Sequence, residues 1–223
     1  MSNPGTRVGA LSPSRETSDG QNDKYFRLNR DGSLYVVDHF ESLAEQGRVF
    51  ASNHGTLTTP LTFLALATNR PDAWIRNPSA SGVFAKPMRI KVALEAAAGT
   101  VTEIEVRLSK NDIGNGTSTA ASLGPVSTRT DSGYTAACIP RHLATGDTTA
   151  ETTPVTLWRS SYPFAQATAE GNDPLGFEIT REMLGNPVMD ENSSLIVFIS
   201  ATTTQATGFV VFQWAEVPVN DLS

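Results

Sequence analysis

The sequence predicts an all-β chain: an antiparallel β-sandwich, jelly-roll-like, with an extended N-terminal arm. Three observations carry this expectation. The chain ends on two strongly apolar runs, Ser193 to Ala201 and Gly208 to Val217, joined by the turn-like stretch Thr202-Thr203-Thr204-Gln205. Earlier apolar runs share their character: short, β-branched or aromatic, and cut off by Gly, Pro, Asn or Thr, which is the composition of strands and of the turns between them. No alternation of strand and helix is visible, so a parallel sheet is not expected and a sandwich is. A chain of 223 residues is long enough to bury a core as one domain. We divide it into an arm, residues 1–33, and a single sandwich domain, residues 34–223.

The arm is rich in Ser, Gly, Asn, Asp and Arg, with scattered apolar residues such as Val8, Leu11, Tyr25, Phe26 and Leu28. Such a segment does not bury enough apolar surface to offset its own ordering entropy. We therefore expect it to gain shape against a neighbouring subunit. Ser33 to His39 reads as a first strand after the Asp31-Gly32 turn signal. Phe40 to Gln46 suits one or two helical turns, with Phe40, Leu43 and Ala44 at helical spacing and Gly47 placed to stop them. Arg48 to Ala51, Leu61 to Ala67 and Ala73 to Asn77 follow as strand candidates.

Met88, Ile90, Val92 and Leu94 alternate with Arg89, Lys91 and Ala93, and Ile104, Val106 and Leu108 alternate with Glu103, Glu105 and Arg107. Both patterns have the period of a strand with one buried face. Pairing the two as a hairpin sets Lys91 against Glu103 and Arg89 against Glu105, a favourable arrangement on a wet face. Lys110 to Gly133 reads as a long loop, of the kind that is usually functional or an interaction element. Strands are expected again at Tyr134 to Ile139, Pro154 to Trp158 and Leu175 to Ile179. Met183 to Pro187 reads as a turn, and the two C-terminal runs as a closing hairpin. We count roughly ten to twelve strands, little helix and no repeat with a period of ~20–50 residues.

The formal net charge of −6 argues against a nucleic-acid partner, because phosphate binding needs a cationic footprint. Of the 17 basic residues only Lys24, Lys86, Lys91 and Lys110 are lysines; arginine is the cation enriched at protein interfaces. No segment approaches the run of ~18 apolar residues that a membrane helix needs, and the N-terminus lacks the apolar core of a signal peptide. We expect synthesis in a cytoplasm and no membrane partner.

Signatures of chemistry are missing. The single cysteine, Cys138, allows no intrachain disulfide, and its apolar surroundings suit a buried, inert thiol. His39, His54 and His142 lie far apart and form no metal-binding pair in sequence. No G-x-S-x-G elbow or phosphate loop is present. Asp190-Glu191-Asn192, and Asp147 with Glu151, lack the ligand count of a calcium loop and read as solvated turns. Paired acids for glycoside hydrolysis would meet only in space. Trp74, Trp158 and Trp214 lie inside apolar strands and suit core packing better than a sugar platform. We expect no enzymatic activity, no cofactor and no metal.

Three segments then carry a resemblance: Gly47-Arg-Val-Phe-Ala-Ser-Asn53, Asn77-Pro-Ser-Ala-Ser-Gly82 ahead of a long alternating strand, and Phe212-Gln-Trp-Ala-Glu-Val-Pro218. In that order, across residues 45–218, the chain resembles a group of tailed-bacteriophage virion proteins encoded among the head and structural genes. The polar arm and the Lys110 to Gly133 loop depart from that pattern. The resemblance implies a structural component at the virion head surface: a capsid decoration (cement) protein whose partners are the major capsid protein and copies of itself, as a homotrimer. Arg7, Arg15, Arg27 and Arg30 would then meet acidic capsid surface, and Tyr25, Phe26 and Leu28 would anchor in apolar pockets. The alternatives are a neck, tail or baseplate component, or a carbohydrate- or receptor-binding β-sandwich module.

Overall fold

The computed structural model describes residues 39–56, 58–63, 70–96, 101–144, 146–162, 177–183, 186–201 and 205–219. The N-terminal arm and most of the expected Ser33 to His39 strand lie outside them; His39 itself opens a helix, α1 (His39–Glu45). Gly47 stops α1 as expected: its φ of 75° is open to glycine at no steric cost. The amides of Gly47 and Arg48 close the end on the carbonyls of Ala44 and Leu43 at 2.9 and 2.8 Å.

Twelve strands follow among the described residues: β1 (Val49–His54), β2 (Leu61–Thr62), β3 (Ala73–Asn77), β4 (Val83–Ala96), β5 (Thr102–Ser109), β6 (Thr119–Ala120), β7 (Leu123–Ser127), β8 (Ile139–His142), β9 (Val155–Tyr162), β10 (Phe177–Glu182), β11 (Ser193–Ala201) and β12 (Thr207–Pro218). They form two six-stranded sheets. The first runs β10-β4-β12-β1-β7, with β2 beside the start of β12; the second runs β6-β8-β3-β11-β5-β9. Every pairing is antiparallel. The chain is an all-β sandwich.

The core lies between the sheets and follows the period of two. Phe50, Ile90, Val92, Leu94, Val210, Phe212 and Trp214 face it from the first sheet, and Ile75, Ile104, Val106, Leu195, Val197 and Ile199 from the second. Burying each such side chain contributes about 1.5–3 kcal/mol. Two smaller clusters cover outer faces. Leu43 of α1 packs on Val49, Ala215 and Val217, while Ile113 and Ala144, from loops, pack on Trp74, Ile196 and Phe198 of the second sheet.

The expected β4–β5 hairpin is not formed. Lys91 stands opposite Thr180 and Val211, and Glu103 opposite Ser161 and Ser200. Period two reports a buried face but not which strand shares the sheet, and here the two strands lie on opposite sides of one core. Arg89 finds its acid elsewhere, in Glu182 at 2.6 Å. Met88 also leaves the expected face: the β4–β12 register slips between Gln213 and Trp214, so Met88 turns out to the α1 cluster while Val83 and Ala85 return to the core. Such a bulge reverses the alternation downstream of it. The C-terminal runs form no hairpin either, since β11 belongs to the second sheet and β12 to the first. The Lys110 to Gly133 stretch contains β6 and β7, and the strand expected at Tyr134 to Ile139 begins only at Ile139.

Candidate functional site

All seven residues expected to bind a partner, Arg7, Arg15, Tyr25, Phe26, Arg27, Leu28 and Arg30, lie outside the described residues. What the structure does place is the lateral edge made by β7 and the segment leading to β8. Strand β7 pairs with β1 on one side and, among the described residues, ends the sheet on the other. Leu123 and Val126 are each 60% exposed, and Tyr134 is 52% exposed. A bare apolar edge strand is a template for another chain, and Pro125 within β7 partly blunts it. Beside it lies a cavity of about 190 Å³ lined by Ala120, Pro125, Ala136, Ile139, Pro140 and Arg141 among others.

This edge is fixed from below. Gly124 has a φ of 97°, and a Cβ there would stand 2.6 Å from the Ala51 carbonyl oxygen, so only glycine lets β7 lie this close to β1. Ser127 and Ser132 donate their hydroxyls to the Gly47 carbonyl at 3.0 and 3.3 Å. Arg48 holds Tyr134 twice, with its guanidinium 4.4 Å from the ring centroid and a 3.2 Å hydrogen bond to the phenol. A cation over an aromatic face is worth about 0.5–1 kcal/mol at a wet site.

Beneath the same edge the two sheets meet through an imidazole pair. Phe50, Ser52 and His54 share the inward face of β1, and His142 ends β8. The Nδ1 atoms of His54 and His142 are 3.0 Å apart, and His54 Nε2 lies 3.3 Å from Ser52 Oγ. Phe212 meets the His54 ring edge-on at 5.4 Å. His54, Ser52 and His142 are 0, 2 and 4% exposed. Burial, and secondly the neighbouring imidazole, lower the His54 pKa to about 3; burial and then Arg141 lower that of His142. A hydroxyl and two imidazoles in line can relay a proton, and this hydroxyl lies buried inside the sandwich. The sequence carries no signal of the pair, whose members are 88 residues apart.

Two further polar clusters are structural. Glu216, 4% exposed, accepts the amides of Ala137 and Cys138 and the Trp214 indole N–H at 2.9, 2.9 and 3.0 Å. Cys138 is buried as expected, and burial, with the Glu216 carboxylate second, pushes its thiol well above the ordinary range. On the outer face of the second sheet, Arg107 grips Glu105 with two bonds of 2.9 and 3.0 Å and reaches Glu151 at 3.2 Å. The Arg107 contact holds the Glu105 carboxyl below its usual range, while burial raises that of Glu151. Glu105 and Glu151 thus share a guanidinium, an ion-pair network that fastens the loop carrying Glu151.

Asp147 is paired with Arg70, and Asp190 is exposed just before the turn at Glu191 and Asn192. Trp74 and Trp214 are fully buried, so neither offers a face to a sugar. Trp158 is partly buried and lines a 370 Å³ cleft with Leu157, Glu182, Met183 and Asn186 at the opposite edge. Among the described residues no three His, Cys, Asp or Glu side chains converge as a metal site, and no helix is long and apolar enough to cross a membrane. The chain matches no protein-family model, no curated protein and no solved structure.

Proposed function

We propose that this chain is a non-enzymatic structural component of a tailed-bacteriophage virion, a capsid decoration protein that stabilises the head through its N-terminal arm and sandwich loops. The reading takes the sandwich as a jelly roll, a fold of viral capsid and lectin domains. The observation that carries it is the nested pairing of β1 with β12, β3 with β11, β4 with β10 and β5 with β9. That is the pattern of one long hairpin rolled into two sheets. The exposed Leu123, Val126 and Tyr134 edge supports a protein partner, since apolar side chains at a bare sheet edge favour association. The partners are the major capsid protein and further copies of the chain, as a trimer at the head surface.

The test is sedimentation of the purified chain with filled and empty heads. Saturable co-sedimentation that is lost when residues 1–33 are removed, with the fold retained, supports the reading. Truncated protein that binds at wild-type affinity removes the arm from it, and full-length protein that binds no head particle overturns it. A second reading rests on the Trp158 cleft, which has the aromatic wall and polar rim of a glycan site. A saturable glycan-array signal abolished by Trp158→Ala would favour that module.

A further inference from the structure

The imidazole pair lies where the β6–β7 segment is fastened over the seam between the sheets. His142 is paired in register with Thr119 of β6, and Asn53, next to His54, with Leu123 of β7. Ser122, between them, accepts the Gly55 amide on its hydroxyl at 2.9 Å. The segment thus crosses the seam beside His54 and His142, which are 0 and 4% exposed.

We propose that Ser52, His54 and His142 form an acid-sensitive latch that holds residues 119–127 against the sandwich, and that proton uptake by the two rings releases this segment. The inference stands on the fold alone and is independent of the virion reading.

The proton balance follows from the geometry. At neutral pH one Nδ1 carries the hydrogen and the other accepts it, and the Ser52 hydroxyl turns to match whichever state His54 Nε2 adopts. One added proton keeps the Nδ1 contact but leaves a cation in an apolar site, where burial opposes charge. A second proton puts N–H groups on both Nδ1 atoms, so the hydrogen bond is lost and two cations face each other. The groups around the pair give no relief. Phe212 of β12 is apolar, and Arg141, beside His142 on β8, is itself a cation that opposes protonation. Asp72, whose carbonyl accepts the Leu143 amide at 2.8 Å, commits its carboxylate to the Ile199 amide at 2.7 Å. Ser122, from the segment itself, is neutral. Lifting the segment lets both rings take protons in water, so acid favours the open state.

Hydrogen exchange of the full chain between pH 7.5 and 4.5, corrected for the intrinsic pH dependence of exchange, tests this. Below the ordinary histidine range, protection of residues 119–127 should fall about tenfold per pH unit for each proton taken up on opening. Protection of β5 and β11 should hold over the same range. The His54→Gln, His142→Gln double variant should lose that pH dependence. Should it fail to fold, the ring Cε1–H signals of the wild type replace it: they should stay those of neutral imidazoles until the segment loses protection. PH-independent exchange at 119–127, loss of protection in step with β5, or rings that titrate near pH ~6.5 while the segment stays protected would each overturn the latch.

Discussion

Glu216 gives its two oxygens to three N–H donors inside the sandwich, and this explains how a carboxylate can sit among apolar residues. Hydrogen bonds replace its lost hydration, and the same bonds hold the irregular 132–138 segment to the first sheet. Glu216→Ala leaves three donors without a partner, each costing about 1–3 kcal/mol, so we expect a loss of at least ~3 kcal/mol in urea denaturation. Glu216→Gln keeps one acceptor oxygen and should cost ~1–2 kcal/mol. Equal losses for both variants would mean that packing, not acceptance, is what Glu216 provides. Gly208 is a second residue whose identity is imposed. A Cβ there would lie 2.1 Å from the Ala93 carbonyl oxygen, and the atoms it meets, in Ala93 and Leu94, are all backbone, so nothing flexible is there to yield. Gly208→Ala should destabilise by about 1–3 kcal/mol through overpacking, seen as a lower urea midpoint with an unchanged slope.

At the scale of elements, β7 combines a glycine-dependent fit to β1 with an apolar outer side. Leu123→Lys and Val126→Lys alter side chains that are each 60% exposed, so stability should move by no more than ~0.5 kcal/mol. Head binding in the sedimentation assay should nevertheless fall at least tenfold if this edge is a contact. Unchanged binding would confine recognition to the arm and other loops. The strands that lead into this edge were largely legible: the Gly47 stop, the Ala73 to Asn77 strand and the alternation on β4 and β5 are local signals with a local cause. Pairing was not legible, because β4 and β5 each show one buried face whether they share a sheet or face each other across a core. Nor was the Met88 reversal, since a bulge leaves no mark on composition. β7 was hidden by its own content, Leu-Gly-Pro-Val-Ser, which reads as a breaker and works as an edge. The imidazole pair had no signal at all, for a contact between β1 and β8 exists only after both sheets have formed.

For the whole molecule, the last strand has the most central place in its sheet. β12 lies between β4 and β1 and also takes β2 along its first residues. Its Val210, Phe212 and Trp214 enter the main core, while Ala215 and Val217 enter the cluster under α1. Without β12 the first sheet separates into a β10–β4 pair and a β1–β7 pair that share no hydrogen bonds, and the second sheet loses the surface it packs on. Local pairings cannot compensate, because consecutive long strands mostly lie in opposite sheets. A chain ending at Ala206 should therefore not fold, and should show neither a cooperative urea transition nor protected amides in β5 and β11. The full chain must form the β1–β12 pairing across most of its length before the first sheet is complete, which places its refolding in the slow range of ~milliseconds to seconds. Stopped-flow fluorescence of the buried Trp74 and Trp214 measures that rate. A microsecond phase carrying the full amplitude, or a cooperative fold in the chain that stops at Ala206, would show that the second sheet stands without the first.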